Sequence, residues 1–343
     1  MTVVSGEPSG AAVADGATHR ARRPGAPRRT LLRTVLRRLL TTVALLLIVT
    51  ALTFLLISIA PGDAAQEILG PDSTQEAYDA LRQRLGLDLP VYQQYWNWLS
   101  AALHGDLGAS LFSGRSVTDL INERVPVTVS LLAAVLIVTT IVGVGLGVVS
   151  AVRGGVLGRL VDGLSLIGLA VPSFWAGAIL IAVFAVKLRW FPAIGYVPLG
   201  ESPWRWAVAL ALPVAALSLD GVAMVAKQTR EVMLDVLGSE YIRMARANGI
   251  SPRSLTFRHA LKNSAIRIVT VVSLRAVALL GGTVVVESVF SVPGLGFQVV
   301  NSTQRSDVPV VLGLVVYFTI IVVVINLVVD VSYRWLNPKV SRS

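Results

Sequence analysis

The feature that most limits what this chain can become is Leu39–Ala60, 22 consecutive residues without one charged side chain. A helix crossing about 30 Å of hydrocarbon needs roughly 20 apolar residues, because each residue rises about 1.5 Å. The run is too long and too far from the N-terminus for the apolar part of a secretion signal. It stops at Pro61-Gly62-Asp63, so it reads as a retained membrane helix. Similar runs follow at Pro126–Val152, Leu160–Val186, Trp206–Ala226, Ile266–Val289 and Val308–Val329. Pro172 and Pro213 fall inside two of them, which neighbouring helices can tolerate by satisfying the freed carbonyls. The expectation is an all-α membrane protein of six transmembrane helices. Only 15% of the residues are charged, against about 25% in an ordinary soluble domain. There is no cysteine, so disulfides, thiolate metal sites and cysteine nucleophiles are excluded.

The loops orient the bundle, because Lys and Arg prefer the cytoplasmic side of short loops close to span ends. The segments 1–38, 153–159, 227–267 and 334–342 hold 21 of the 30 basic residues, the intervening loops hold eight, and Arg275 lies inside a span. Both termini are therefore expected in the cytoplasm of a multi-pass plasma-membrane protein. The net charge of +10 is largely this asymmetry rather than a nucleic-acid footprint. The chain divides into a disordered basic tail, 1–34, the first span, 35–60, an external segment, 61–125, a five-helix core, 126–336, and a short tail, 337–343. The basic tail reads as solvated chain, as a holder of anionic lipid, or as both.

Two segments outside the spans carry information. The external one has helical patterning through Thr74–Leu85 and Pro90–Leu103, with Tyr92, Tyr95 and Trp96 at i, i+3, i+4 spacing and Trp98 beside them. Those aromatics suit an interfacial belt or a docking element, and the spacing does not choose. The cytoplasmic loop 236–263, within the core, reads as two short helices around a turn. Ser239 caps the first, Gly249 takes the left-handed position that ends it, and Ser251-Pro252 start the second. Ala245, Ala247 and Gly249 would let a partner approach closely. A helix-turn-helix DNA reader has the same outline, but a loop of this length tethered between two spans cannot reach a major groove.

Catalytic chemistry is not in view. His19, His104 and His259 lie in three different segments, which leaves no paired metal spacing. No lysine follows a glycine, so the nucleotide-binding P-loop is missing. Asp162, Asp220, Arg275 and Glu287 are ionisable groups inside or at the ends of spans, where such groups are costly and often functional. Asp220 and Arg275 are candidates for an interhelical pair or for the lining of a path. Glu287 is placed to orient the loop that follows it.

Several stretches in order resemble one family. They are Ala60-Pro61-Gly62-Asp63, Leu85-Gly86-Leu87-Asp88-Leu89-Pro90, Gly105-Asp106-Leu107-Gly108-Ala109-Ser110, Val171-Pro172-Ser173-Phe174-Trp175 and Glu287-Ser288-Val289-Phe290-Ser291-Val292-Pro293-Gly294-Leu295-Gly296. With the loop Glu240–Gly249 and Arg258–Asn263, they are similar to permease subunits of binding-protein-dependent ABC importers, in the dipeptide, oligopeptide and nickel branch. The resemblance covers residues 35–338. The loop departs from the family pattern in having Lys262 where a proline stands and Arg243-Met244 where Glu-Ala stands.

The resemblance implies the type I importer permease fold, with 236–263 as the coupling loop that seats a short helix on an ATPase. Glu240, Tyr241, Arg243, Ala245, Ala247, Gly249 and His259 are then coupling residues, and Pro172, Ser173, Asp220, Arg275 and Glu287 are candidates for the translocation path. It implies the first of two permease subunits, two ATPase subunits that hold ATP and Mg, and an extracytoplasmic solute-binding protein, with no cofactor or metal on this chain. The solute would be a di- or oligopeptide or a similar small molecule. The rival from another class is an ion-coupled secondary transporter, which calls for midplane acids and an internal repeat. Asp220 fits the first demand, and no repeat meets the second.

Overall fold

Every long stretch of regular structure is helical in the computed structural model, which describes residues 27–59 and 62–336, with side chains over 40–59 and 62–332. Compactness separates residues 1–44 from 45–343. The first unit contributes the opening of helix α1 (Pro27–Ile59). The helix therefore starts inside the stretch expected as disordered tail, and 27–34 are helical; residues 1–26 and the tail 337–343 lie outside the described residues.

The second unit carries the rest. The external segment contains α2 (Ala64–Leu69), α3 (Gln75–Leu85), α4 (Val91–Leu103) and α5 (Val117–Asn122). Then come α6 (Val125–Arg153), α7 (Gly155–Ala170), α8 (Ser173–Leu180, widening to a π-helix over Ile181–Lys187) and α9 (Pro203–Leu237). The loop 236–263 holds α10 (Glu240–Ala247) and α11 (Pro252–Ser254), which runs through a π turn into α12 (Leu261–Val289). An outer helix α13 (Leu295–Gln304) precedes α14 (Val308–Leu336).

Five helical stretches are long and apolar enough to cross a membrane, and α7 with α8 makes a sixth only as a broken span, bent by 98°. The expected straight helix over 160–186 is thus corrected. Proline restricts the residue before it to extended backbone, and Val171, at φ −85° and ψ 118°, ends α7 for that reason. Pro213 behaves differently: α9 runs through it, with the ring buried among its neighbours.

The core forms where α6 lies on α9, with α12 and α14 packed around them. Val127, Leu131, Val135, Leu210, Leu217, Leu279 and Phe290 share one buried cluster. The approach of α6 to α9 depends on Gly143 and Gly147, four residues apart. A Cβ at Gly147 would stand 2.6 Å from the Ala226 carbonyl oxygen, and one at Gly143 would stand 2.8 Å from Val225. In hydrocarbon, where apolar burial drives little, such close backbone packing is what holds helices together.

The aromatic cluster of the external segment divides in two. Tyr95 packs against Phe54 with ring centroids 5.6 Å apart and against Trp98 at 6.1 Å. Its hydroxyl lies 3.0 Å from Thr50 Oγ1, which sets α4 against the outer part of α1 rather than beyond its end. Tyr92 and Trp96 stay exposed.

Candidate functional site

The loop between α9 and α12 takes its shape from local sequence. Ile242 and Ala245 turn inward and pack with Leu255, which leaves Glu240, Tyr241, Arg243, Met244, Arg246 and Ala247 exposed on the other side of α10. Gly249 has φ +76°, the left-handed conformation that ends the helix, and a Cβ there would meet nothing within 4 Å. Ser251 accepts from the Ser254 N–H at 3.4 Å and starts the next helix. Ser239 sits at the N-cap position, but its hydroxyl donates to the Val236 carbonyl at 2.7 Å and so does not cap α10. Tyr241 and His259 join the two arms of the loop through a 2.6 Å hydrogen bond between Oη and Nδ1.

The helices on either side of this loop are clasped to each other along their length. Arg275 of α12 pairs with Asp220 of α9, with side chains 17% and 30% exposed. Nearer the loop, the Ser264 hydroxyl donates to the Ala260 carbonyl at 2.9 Å with Met233 Sδ 3.6 Å away, and Arg267 pairs with Asp235 at 3.4 Å. A further pair, Arg230 with Asp162 at 3.0 Å, ties α9 to α7.

Carboxylates also organise the outer side. Glu287 is wholly buried and accepts from Thr128 Oγ1 at 2.7 Å and from the N–H groups of Gly296 at 2.7 Å and Phe297 at 3.1 Å. Asp63 accepts from Tyr78 Oη at 2.5 Å and pairs with Arg82 at 2.6 Å; Arg82 also reaches Asp88 at 3.0 Å. Two separate sequence stretches, around Gly62-Asp63 and around Gly86-Leu87-Asp88, thus belong to one ionic network. Burial pushes the Asp63 carboxyl up, but the hydrogen bonds from Tyr78 and Ala65 and the Arg82 charge outweigh it and hold the group below its ordinary value. Asp307 accepts from Ser110 Oγ at 2.6 Å and Leu111 N–H at 3.1 Å, and burial pushes it above its ordinary value despite those donors.

The family described as binding-protein-dependent transport system inner membrane component matches residues 143–342, and its N-terminal part matches residues 31–132. The chain belongs to this family.

The permease is 39% identical over 307 residues to a probable peptide ABC transporter permease protein of Sinorhizobium fredii, covering 89% of this chain and 98% of that protein. A putative peptide transport system permease protein of Brucella abortus is equally similar, at 39% over the same coverage. The glutathione transport system permease protein GsiC of Escherichia coli is 38% identical over 311 residues, covering 90% of this chain and 99% of that one. The fold is similar to that of an inward-facing structure of the MetNI methionine ABC transporter, with a TM-score of 0.54 and 18% identity. That match covers 64% of this chain and 97% of the other. The permease is therefore a transport component of a binding-protein-dependent ABC system rather than an ion-coupled transporter.

One of the residues singled out in the permease sequence is placed otherwise than expected, and another takes one of the two places offered for it. Ala245 is 6% exposed and holds α10 onto the loop, so it does not face a partner. Glu287 orients the loop that follows it, the first of the two places offered for it, rather than lining a path: its oxygens accept from Thr128 and from the Gly296 and Phe297 N–H groups in a fully buried site. Pro172 is exposed at the α7–α8 break with Ser173 beside it, and Asp220 and Arg275 form the interhelical pair. Met244 and Phe257, 66% and 57% exposed, are apolar side chains on the loop surface that the sequence reading passed over. Their signal was helical phase: Met244 lies three residues from Tyr241, on the side of α10 opposite the inward Ile242 and Ala245.

Proposed function

We propose that the permease forms, with a second permease subunit, the path through which a peptide or similarly small solute enters the cell. An extracytoplasmic binding protein delivers the solute. Two ATPase subunits, which hold ATP and Mg, seat on the loop 236–263 from the cytoplasmic side, where both termini lie. The reading of peptide as solute is supported by the named relatives, which span nearly their whole length on this chain. The coupling role rests on one observation: a short helix whose inner face is buried offers Tyr241, Arg243, Met244 and Ala247 outward on a surface with an exposed Phe257.

Asp220 and Arg275 have a defined part in this reading. They clasp the two helices that carry the loop, so displacement of α10 by a moving ATPase is passed to α9 and α12 together. The test pairs Gly249→Val with Met244→Glu. The first places a β-branched side chain at φ +76°, a strain of about 1–2 kcal/mol that reshapes the loop without touching the spans. The second puts a charge in the exposed apolar surface. Both variants should reach the membrane at wild-type level, lose copurified ATPase and lose uptake. Normal uptake in both would remove the loop from coupling.

A further inference from the structure

On the outer side lies a pocket that neither coupling nor clasping uses. It encloses about 360 Å³ between the 110–113 turn of the external segment, Arg124 at the start of α6, helix α13 and the turn at Arg305–Asp307. Its charge is unbalanced. Arg82, Arg115, Arg205, Arg230, Arg267 and Arg275 each pair with a carboxylate. Among the described residues, Arg124 and Arg305 pair with none, as is also true of the exposed Arg84, Arg243 and Arg258. Arg124 is half-buried; one of its terminal nitrogens donates to the Pro293 carbonyl at 3.3 Å, and its Nε is buried without a partner. The Arg305 guanidinium lies 5.9 Å above the Phe112 ring.

The one acid in the pocket acts on Arg305 only through space. Asp307 is 4% exposed, and its two oxygens are engaged by Ser110 and Leu111. Glu123 and Glu287 act on Arg124 only through space, with no carboxylate oxygen at ion-pair distance, and its fork of donors matches a carboxylate. The remaining walls are neutral and amide-bearing. Gln298 donates to Ser302 Oγ at 2.9 Å and Asn301 to the Phe297 carbonyl at 2.9 Å, so each amide spends a donor inside the wall and keeps its oxygen as an acceptor.

We propose that this pocket is a recognition subsite for the C-terminal carboxylate of the incoming peptide, with Arg124 and Arg305 as its specificity-determining residues. The guanidinium groups take the carboxylate, and the Gln298 and Asn301 oxygens accept from the neighbouring peptide N–H. The inference rests on the reading of peptide as solute. It gives the permease a check of its own on the solute at the outer entrance, beyond that made by the binding protein.

The experiment uses the assembled transporter in liposomes with its binding protein. The probes are a peptide that the binding protein holds and the C-terminal amide of the same peptide, each at a concentration that saturates the binding protein. Arg124→Gln with Arg305→Gln should lower uptake of the free-acid peptide at least tenfold and leave uptake of the amide, already slow in the wild type, unchanged. Arg124→Lys with Arg305→Lys, which keeps the charge, should recover most of the loss and separates this effect from misfolding. An equal fall for both probes, with weaker docking of the empty binding protein, would assign the arginines to that protein's surface and overturn the proposal. No change for either probe would overturn it as well. Wild-type transporter that hydrolyses ATP with its loaded binding protein yet imports neither probe would defeat the peptide reading itself, and the subsite with it.

Discussion

Neutralising either member of the Asp220–Arg275 pair should damage the permease, and the two losses should differ in size. The side chains are 30% and 17% exposed, so both charges sit mostly out of water. Removing one partner of such a pair costs about 3–5 kcal/mol, because the other is left buried and uncompensated. The surroundings make the cost unequal. Asp220 Oδ1 also accepts from the Gly221 N–H at 2.8 Å and is the more exposed of the two, so Arg275→Gln leaves a carboxylate with a donor and some water. Asp220→Asn leaves a guanidinium whose Nε is already buried without a partner. We expect about 2–3 kcal/mol for Arg275→Gln and about 4–5 kcal/mol for Asp220→Asn, with the double variant recovering about 2 kcal/mol or more of their sum. Thermal denaturation of the purified permease and the amount assembled in the membrane report the order. A double variant as unstable as the sum of the singles would refute the pairing argument. Arg275→Gln being the worse single would refute the account of the asymmetry.

Gly147→Ala should destabilise the bundle by about 1–3 kcal/mol through overpacking against α9, while Gly145→Ala, whose Cβ would meet nothing within 4 Å, should be neutral by the same denaturation measurement. Acid should act on the outer side in opposite senses. The lowered Asp63 group stabilises its network at every pH above the unfolded value, about 3.9, and releases it only as pH falls through the still lower folded value. The raised Asp307 group binds its proton more tightly when folded, so the fold should gain stability as pH falls through that folded value towards the unfolded one, and Asp307→Asn should abolish the gain in thermal denaturation. Single cysteines in this cysteine-free chain fix the orientation: Ser113→Cys and Thr303→Cys, both exposed, should react with an impermeant thiol reagent added outside, and Ala247→Cys should not.

The spans were legible because a lipid-crossing helix must be long and apolar, and few sequences satisfy that by accident. The external helices α3 and α4 were legible for a similar reason, with Thr74 and Gly86 marking the ends of α3 as cap residues do. Interactions across the chain were harder to read. Composition and hydropathy treat a proline as an interruption without saying whether the helix bends there, and Pro172 and Pro213 gave opposite results. Ala245 looked like a residue made small for a partner, yet it is small because Ile242, Leu255 and the loop close over it. The Gly143–Gly147 spacing was visible, but which helix it admits depends on a contact with α9 some 80 residues away. Asp63, Arg82 and Asp88 looked like features of separate motifs until the fold brought them within hydrogen-bond distance.

The clasped pair of helices links these placements into one mechanical arrangement. A short exposed helix can transmit force only if the elements that carry it do not slide past each other. Contacts at 220–275 and 235–267 join α9 and α12 at two levels, and the first of them lies inside the membrane-spanning part. At the far end of α12, Glu287 fastens the outer turn at Gly296 and Phe297, and Thr128 fastens the same turn to α6 through the Leu295 N–H at 2.8 Å. On the proposed coupling role, a movement of the loop 236–263 would pass along α12 to α13, which walls the pocket of Arg124 and Arg305. On the same proposed role, Glu287 sits at the junction between the span and the turn that follows it. Glu287→Gln keeps the shape and one acceptor oxygen but sets an amide N–H₂ against a donor that the second carboxylate oxygen accepts from. It should leave ATPase docking intact while lowering uptake, and wild-type uptake in that variant would break the link between the two ends of α12.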